Sequence, residues 1–126
     1  MIKTIDISNL GAIKRVQADN LGGINLVIGP NQSGKTFILK ALFSALKTVE
    51  TYKRGKENRT DREILSDKLY WTFQATELGS IVRKGESSLN FSMVSDANEV
   101  FAYSFGPSTT KQVNIDKNTF APRLSN

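Results

Sequence analysis

In the first ten positions Ile5 and Ile7 alternate with Thr4, Asp6 and Ser8. This spacing predicts a strand with one buried face. A turn is expected at Asn9, Leu10 and Gly11, and a second strand over residues 13–18. Residues 19–23 carry turn chemistry, with Gly22 and Gly23 free to take positive φ. They lead into residues 24–28, a nearly continuous apolar run that reads as a strand covered on both faces.

The period then changes. Ile38, Leu42, Ala45, Leu46 and Val49 recur at helical spacing, while Lys40, Ser44 and Lys47 mark the opposite side. From residue 52 to residue 61 apolar side chains give way to Lys53, Arg54, Lys56 and Arg59 with two acids, the pattern of a solvated loop. Leu65, Leu69 and Phe73 next fit a helix, which is the preferred reading, although Leu69, Trp71, Phe73 and Ala75 also fit a strand. From about residue 87 the period is two: Leu89, Phe91 and Met93, then Phe101, Tyr103 and Phe105, then Val113 and Ile115. Separated by SDAN and by GPSTT, these runs predict an antiparallel meander. No element is evident over residues 121–126.

The 126 residues make about one small domain, able to bury one core. A net charge of +5, from 17 basic and 12 acidic residues, is compatible with a nucleotide or nucleic-acid partner without requiring one. The absence of Cys excludes disulfides, Fe–S clusters and thiol catalysis, and the absence of His excludes Ser-His catalysis and His-ligated zinc. No stretch approaches the roughly 18 apolar residues of a membrane span, and the N-terminus has no apolar h-region. A cytoplasmic protein is the expectation.

One segment carries recognisable chemistry. Gly29, Pro30, Asn31, Gln32, Ser33, Gly34, Lys35 and Thr36 satisfy the phosphate-loop (Walker A) pattern G-x-x-x-x-G-K-[ST] without departure. They stand between an expected buried strand and an amphipathic helix expected to begin near Gly34, the context in which the motif works. Gly29 and Gly34 permit a tight turn and close approach to phosphate, whose oxygens accept from the amides of residues 32–36 at the positive end of the helix dipole. Lys35 is expected to reach the β- and γ-phosphates of ATP, and the Thr36 hydroxyl to enter the Mg²⁺ shell.

Other parts of a nucleotide hydrolase are missing. The nearest candidate for a Walker B strand, Phe91, Ser92, Met93, Val94, Ser95 and Asp96, is interrupted by two serines and lies in the meander. The only D-x-x-G, at Asp19 and Gly22, precedes the phosphate loop, and N-K-x-D is absent, so a GTPase is not expected. A small phosphoryl-transfer kinase is disfavoured because no Arg-rich lid is evident. The basic stretch 53–62 could track a phosphate backbone, but its acids favour a soluble loop. Phe101, Tyr103 and Phe105 could stack bases, but alternating aromatics are the pattern of a core. Trp71 beside Tyr70 is expected to pack, and Arg83 and Lys84 are too isolated to interpret.

GINLVIGPNQSGKTFILKAL, preceded by a strand ending in Ser8, Asn9, Leu10 and Gly11, resembles the start of ABC-type ATPases of the RecF, structural-maintenance-of-chromosomes and OLD-nuclease branch, within the AAA family ATPases. The resemblance is specific over residues 2–49. It implies an α/β fold, α+β in its second half: a P-loop NTPase lobe with a strand pair, the Walker A strand-loop-helix and an antiparallel β-meander. The whole chain would be the N-terminal part of one ATPase domain, with a phosphate-loop core over 1–50, a basic loop and helix over 51–86, and an antiparallel β subdomain over 87–117.

By position, residues 29–36 would bind ATP and Mg²⁺, with Lys35 catalytic and Thr36 on the metal, and Lys14 and its neighbours would lie near the base or ribose. The family's glutamine loop, LSGGQ-like signature, Walker B Asp-Glu and switch His are not in this sequence. The resemblance therefore implies ATP binding in DNA repair, chromosome maintenance or anti-phage defence, with a homodimer mate or partner ATPase head as partner, and hydrolysis only if these residues are the front of a longer ATPase or a subunit completed by another chain that bears the missing elements. DNA is a further partner that it allows. The alternative is a nucleotide-sensing subunit that does not hydrolyse.

Overall fold

The computed structural model describes residues 2–11, 13–19, 32–54, 60–74, 77–109 and 111–120, and for residues 18, 19, 32–36, 53 and 54 it describes the backbone alone. Its elements are β1 (Ile2–Leu10), β2 (Ile13–Asp19), α1 (Gln32–Arg54), α2 (Asp61–Phe73), a 3₁₀ turn (Leu78–Ile81), β3 (Leu89–Ser95), β4 (Val100–Phe105) and β5 (Asn114–Asn118). The five strands form one sheet in the order β2-β1-β3-β4-β5, with every neighbouring pair antiparallel. The expected strand pair and the expected meander are thus parts of one sheet, joined where β1 pairs with β3.

Register follows from the alternation. Ile5 stands opposite Met93, Ile7 opposite Phe91, Phe91 opposite Tyr103 and Leu89 opposite Phe105, and all of these side chains are buried. A slip of one residue would turn the apolar set to solvent. Phe91 and Tyr103 stack at 4.9 Å, and Phe105 stacks on Tyr103 at 6.2 Å. The aromatic row is therefore core, and burial pushes the Tyr103 phenol above its usual range, so it stays neutral. The opposite face carries Asp6, Ser8, Asn90 and Ser92, with Arg15 paired to Asp6 at 3.0 Å in an exposed contact of small energetic worth.

The two helices pack on each other and share the core with the apolar face of the sheet. Ile38, Ala41, Leu42, Ala45 and Val49 of α1 are buried there, as are Ile64, Leu65 and Leu69 of α2. The start of α2 is fixed by a capping box of Thr60 and Glu63, the Thr60 hydroxyl accepting from the Glu63 N–H at 3.2 Å and Glu63 Oε1 accepting from the Thr60 N–H at 2.9 Å. The hydroxyl of buried Ser66 donates to the Arg62 carbonyl at 2.7 Å and accepts from the Val113 N–H at 3.1 Å, tying α2 to the approach to β5. Ser66→Ala would leave that N–H unpartnered. It is expected to cost about 1–3 kcal/mol in urea unfolding.

Four expectations are corrected. Ser44 does not mark a solvent side: it is fully buried, and its hydroxyl donates to the Lys40 carbonyl at 2.9 Å, which removes the cost of its position. Leu46, expected on the core face, is 40% exposed. The expected loop 52–61 is shortened because α1 continues to Arg54 and α2 starts at Asp61, and residues 55–59 lie outside those described. Trp71 does not pack into the core but is 68% exposed, meeting Tyr70 edge-on at 5.4 Å.

Candidate functional site

The expected strand 24–28 and the motif residues Gly29, Pro30 and Asn31 lie outside the described residues. Gln32, Ser33, Gly34, Lys35 and Thr36 form the backbone of the opening of α1, which begins two residues before Gly34. The phosphate-loop sequence therefore runs onto the N-terminus of a 23-residue helix. The first four N–H groups of a helix have no partner inside it, and the macrodipole adds partial positive charge there. The first turn of α1 holds no acidic residue, so no carboxylate opposes an anion at this end. Amides, dipole and the Lys35 and Thr36 residue types together make a donor set that fits a Mg²⁺-bound phosphate chain.

What fixes this helix end is the residue after Thr36. The Phe37 ring meets Phe73 of α2 edge-on at 5.2 Å, and Ile38 is fully buried. From the other side Phe37 is covered by Gly11, in the turn between β1 and β2, where a Cβ would lie 2.6 Å from the ring.

The turn is held in place by two backbone bonds and one from a side chain. The Gly11 N–H donates to the Ile81 carbonyl at 2.8 Å, the Arg83 N–H donates to the Asn9 carbonyl at 2.7 Å, and the Asn9 side-chain amide donates to the Ser88 carbonyl at 2.8 Å. Gly11 also has φ +58°, which a side chain strains. Gly11→Ala is therefore expected to cost about 1–3 kcal/mol and to weaken ligand binding at the start of α1. Urea unfolding read alongside ligand titration checks both. The sequence marked this turn but gave no sign of its contact with Phe37, since the two positions are distant in the chain.

Other sequence candidates fall elsewhere. The rejected Walker B segment is β3, with Phe91 and Met93 buried, and its end is a hairpin turn in which Ser95 Oγ accepts from the Ala97 and Glu99 N–H groups. Asp61 and Arg62, at the end of the basic stretch, tie α2 to the β5 region: Asp61 accepts from the Asn118 side-chain amide and Arg62 donates to the Gln112 side-chain carbonyl, each at 2.7 Å. Arg83 pairs with Glu86 at 3.3 Å. Lys14 is exposed on β2. Among the described residues no cluster of three or more His, Cys, Asp or Glu is placed to hold a metal ion, and no helix is long and apolar enough to cross a membrane.

The fold is similar to that of a solved SMC ATPase. That structure comes from structural biochemistry of ATP-driven dimerization and DNA-stimulated activation of SMC ATPases, and superposes with a TM-score of 0.53 at 12% identity over 98% of this chain and 72% of its own. At that identity the likeness is one of fold. No family model and no curated protein match the chain.

Proposed function

We propose that this chain binds ATP with Mg²⁺ through residues 29–36, as the N-terminal part of an ABC-type ATPase domain. The observation that carries the reading is an unbroken phosphate-loop motif running onto the acid-free N-terminus of α1, in a fold similar to an SMC ATPase. The loop of Gly29, Pro30, Asn31, Gln32, Ser33 and Gly34 lies against the phosphates, to which the amides of residues 32–36 donate, while Lys35 brings a charge to the β- and γ-phosphates and Thr36 a hydroxyl to the metal. Mg²⁺, when bound, would neutralise phosphate charge.

Turnover awaits Walker B and signature elements, which the sequence does not contain. A partner that carries those elements would complete the site, and a role in DNA repair, chromosome maintenance or anti-phage defence follows the same family reading. If no such completion occurs, the chain acts as a nucleotide-sensing subunit.

Ligand that binds only the native state raises its stability, by about 2.7 kcal/mol at a hundredfold excess over Kd. Thermal unfolding with millimolar Mg-ATP is therefore expected to shift upward by several degrees, while phosphate release by the chain alone stays at background. An unshifted melt would overturn the binding reading. Sustained phosphate release by the purified chain would overturn the claim that it needs completion.

A further inference from the structure

We propose that the groove along the outer face of α2, walled by Tyr70 and Trp71, is a docking site for a basic, extended segment of a partner protein, which lays an arginine side chain on the Trp71 indole. Trp71 is the most exposed large apolar side chain among the described residues, at 68%, and Tyr70 beside it is 40% exposed. Their rings meet edge-on at 5.4 Å. The groove encloses about 410 Å³. Glu63, Asp67, Tyr70 and Trp71 form its helix side, at i, i+4, i+7 and i+8 on one face of α2, and Lys111 and Gln112 from the approach to β5 form the other.

The occupant is argued from charge, ring chemistry and area. Two carboxylates face one ammonium across the groove, so its walls are net negative although the chain as a whole carries +5. Arg62, whose guanidinium donates to the Gln112 side-chain carbonyl at 2.7 Å, does not line it. The last turn of α2, which carries Tyr70 and Trp71, contains no basic residue, so nothing in this helix offsets the partial negative charge at its carbonyl end. Lys40 reaches that end from α1 but stands over the Phe73 ring, at 5.7 Å. No cation among the described residues stands over Trp71. A cation lying there meets a ring face, a helix C-terminus and a carboxylate together. Arginine suits the place better than lysine, because its planar guanidinium stacks on an indole and is more weakly hydrated. In an extended segment, residues two apart point the same way at a separation of about 6.6 Å. Asp67 and Trp71 are about 6 Å apart along the helix axis, so a second arginine two places on meets Asp67. Two partly exposed rings fall well short of the roughly 800 Å² per partner that joins two folded surfaces, so the fit is to a short segment and not to a second folded copy. The inference does not depend on nucleotide binding.

Trp71 is the only Trp in the chain, so intrinsic tryptophan emission reads this groove alone. The probes are the peptide acetyl-Gly-Arg-Gly-Arg-Gly-amide and its counterpart with citrulline at both basic positions, which keeps the shape and removes the charge. At low ionic strength the arginine peptide should change the emission saturably, and the citrulline peptide should bind about three- to thirtyfold more weakly. Asp67→Asn should weaken the arginine peptide, whereas Asp116→Asn, on the polar face of the sheet, should leave its affinity unchanged. Both substitutions replace exposed side chains. No saturable change at millimolar arginine peptide, equal binding of the two peptides, or equal effects of the two substitutions would overturn the proposal. Emission of the free chain that moves to shorter wavelength as its concentration rises would make the occupant a second copy and overturn it as well.

Discussion

Phe91→Ala is expected to destabilise the fold by about 3–5 kcal/mol. Phe91 sits in β3, the middle strand of five, opposite Ile7 on one neighbour and Tyr103 on the other. It is 1% exposed, and its ring stacks on Tyr103 at 4.9 Å with 14° between planes. Truncation removes the transfer free energy of the ring and leaves a cavity that strands held on both edges cannot collapse to fill.

The adjacent Ser92 points to the other face of the sheet, so Ser92→Ala serves as the control and should shift stability by less than about 0.5 kcal/mol. Urea unfolding of both variants makes the comparison. A Phe91→Ala loss below about 1 kcal/mol would mean that the stacked aromatic row is not the core of this sheet.

Much of the sheet was legible because strand alternation has a fixed period and one face is buried. Ile5, Ile7, Phe91, Met93, Phe101, Tyr103 and Phe105 all face inward as their spacing predicts. The sheet order was not legible, because pairing of β1 with β3 joins segments some eighty residues apart and leaves no local trace. Burial of Ser44 was misread for a different reason, one that the equally buried Thr48 shares. Each hydroxyl donates to a carbonyl one helical turn back, Lys40 at 2.9 Å and Ser44 at 2.7 Å, so a polar residue type sits inside without an unmet bond. The second helix could have been chosen over the strand with more force from Thr60 and Glu63, whose spacing is that of a capping box. For the candidate site, the helix that takes up the motif from Gln32 onward was legible, whereas the clamp of Gly11 and Phe73 on Phe37 comes from tertiary packing alone.

Lys35→Ala is expected to weaken Mg-ATP binding by roughly ten- to a hundredfold, the loss that goes with removing about 1.5–3 kcal/mol of a hydrogen bond to charged groups. The stability of the protein without ligand should change little, because α1 is anchored by Phe37, Ile38 and the residues that follow. That separation distinguishes the substitution from Gly11→Ala, which is expected to lower stability and binding together. A conservative Lys35→Arg keeps the charge, but its planar fork does not replace a compact ammonium, so partial affinity is the expected result.

The most direct measurement is calorimetric titration of the parent chain and Lys35→Ala with Mg-ATP, under one buffer and salt condition. Saturable binding near one site per chain is expected for the parent and at least tenfold weaker binding for the variant, with superimposable unfolding curves in the absence of nucleotide. Equal affinity in the two proteins, or no binding to the parent at millimolar Mg-ATP, would contradict the proposed site.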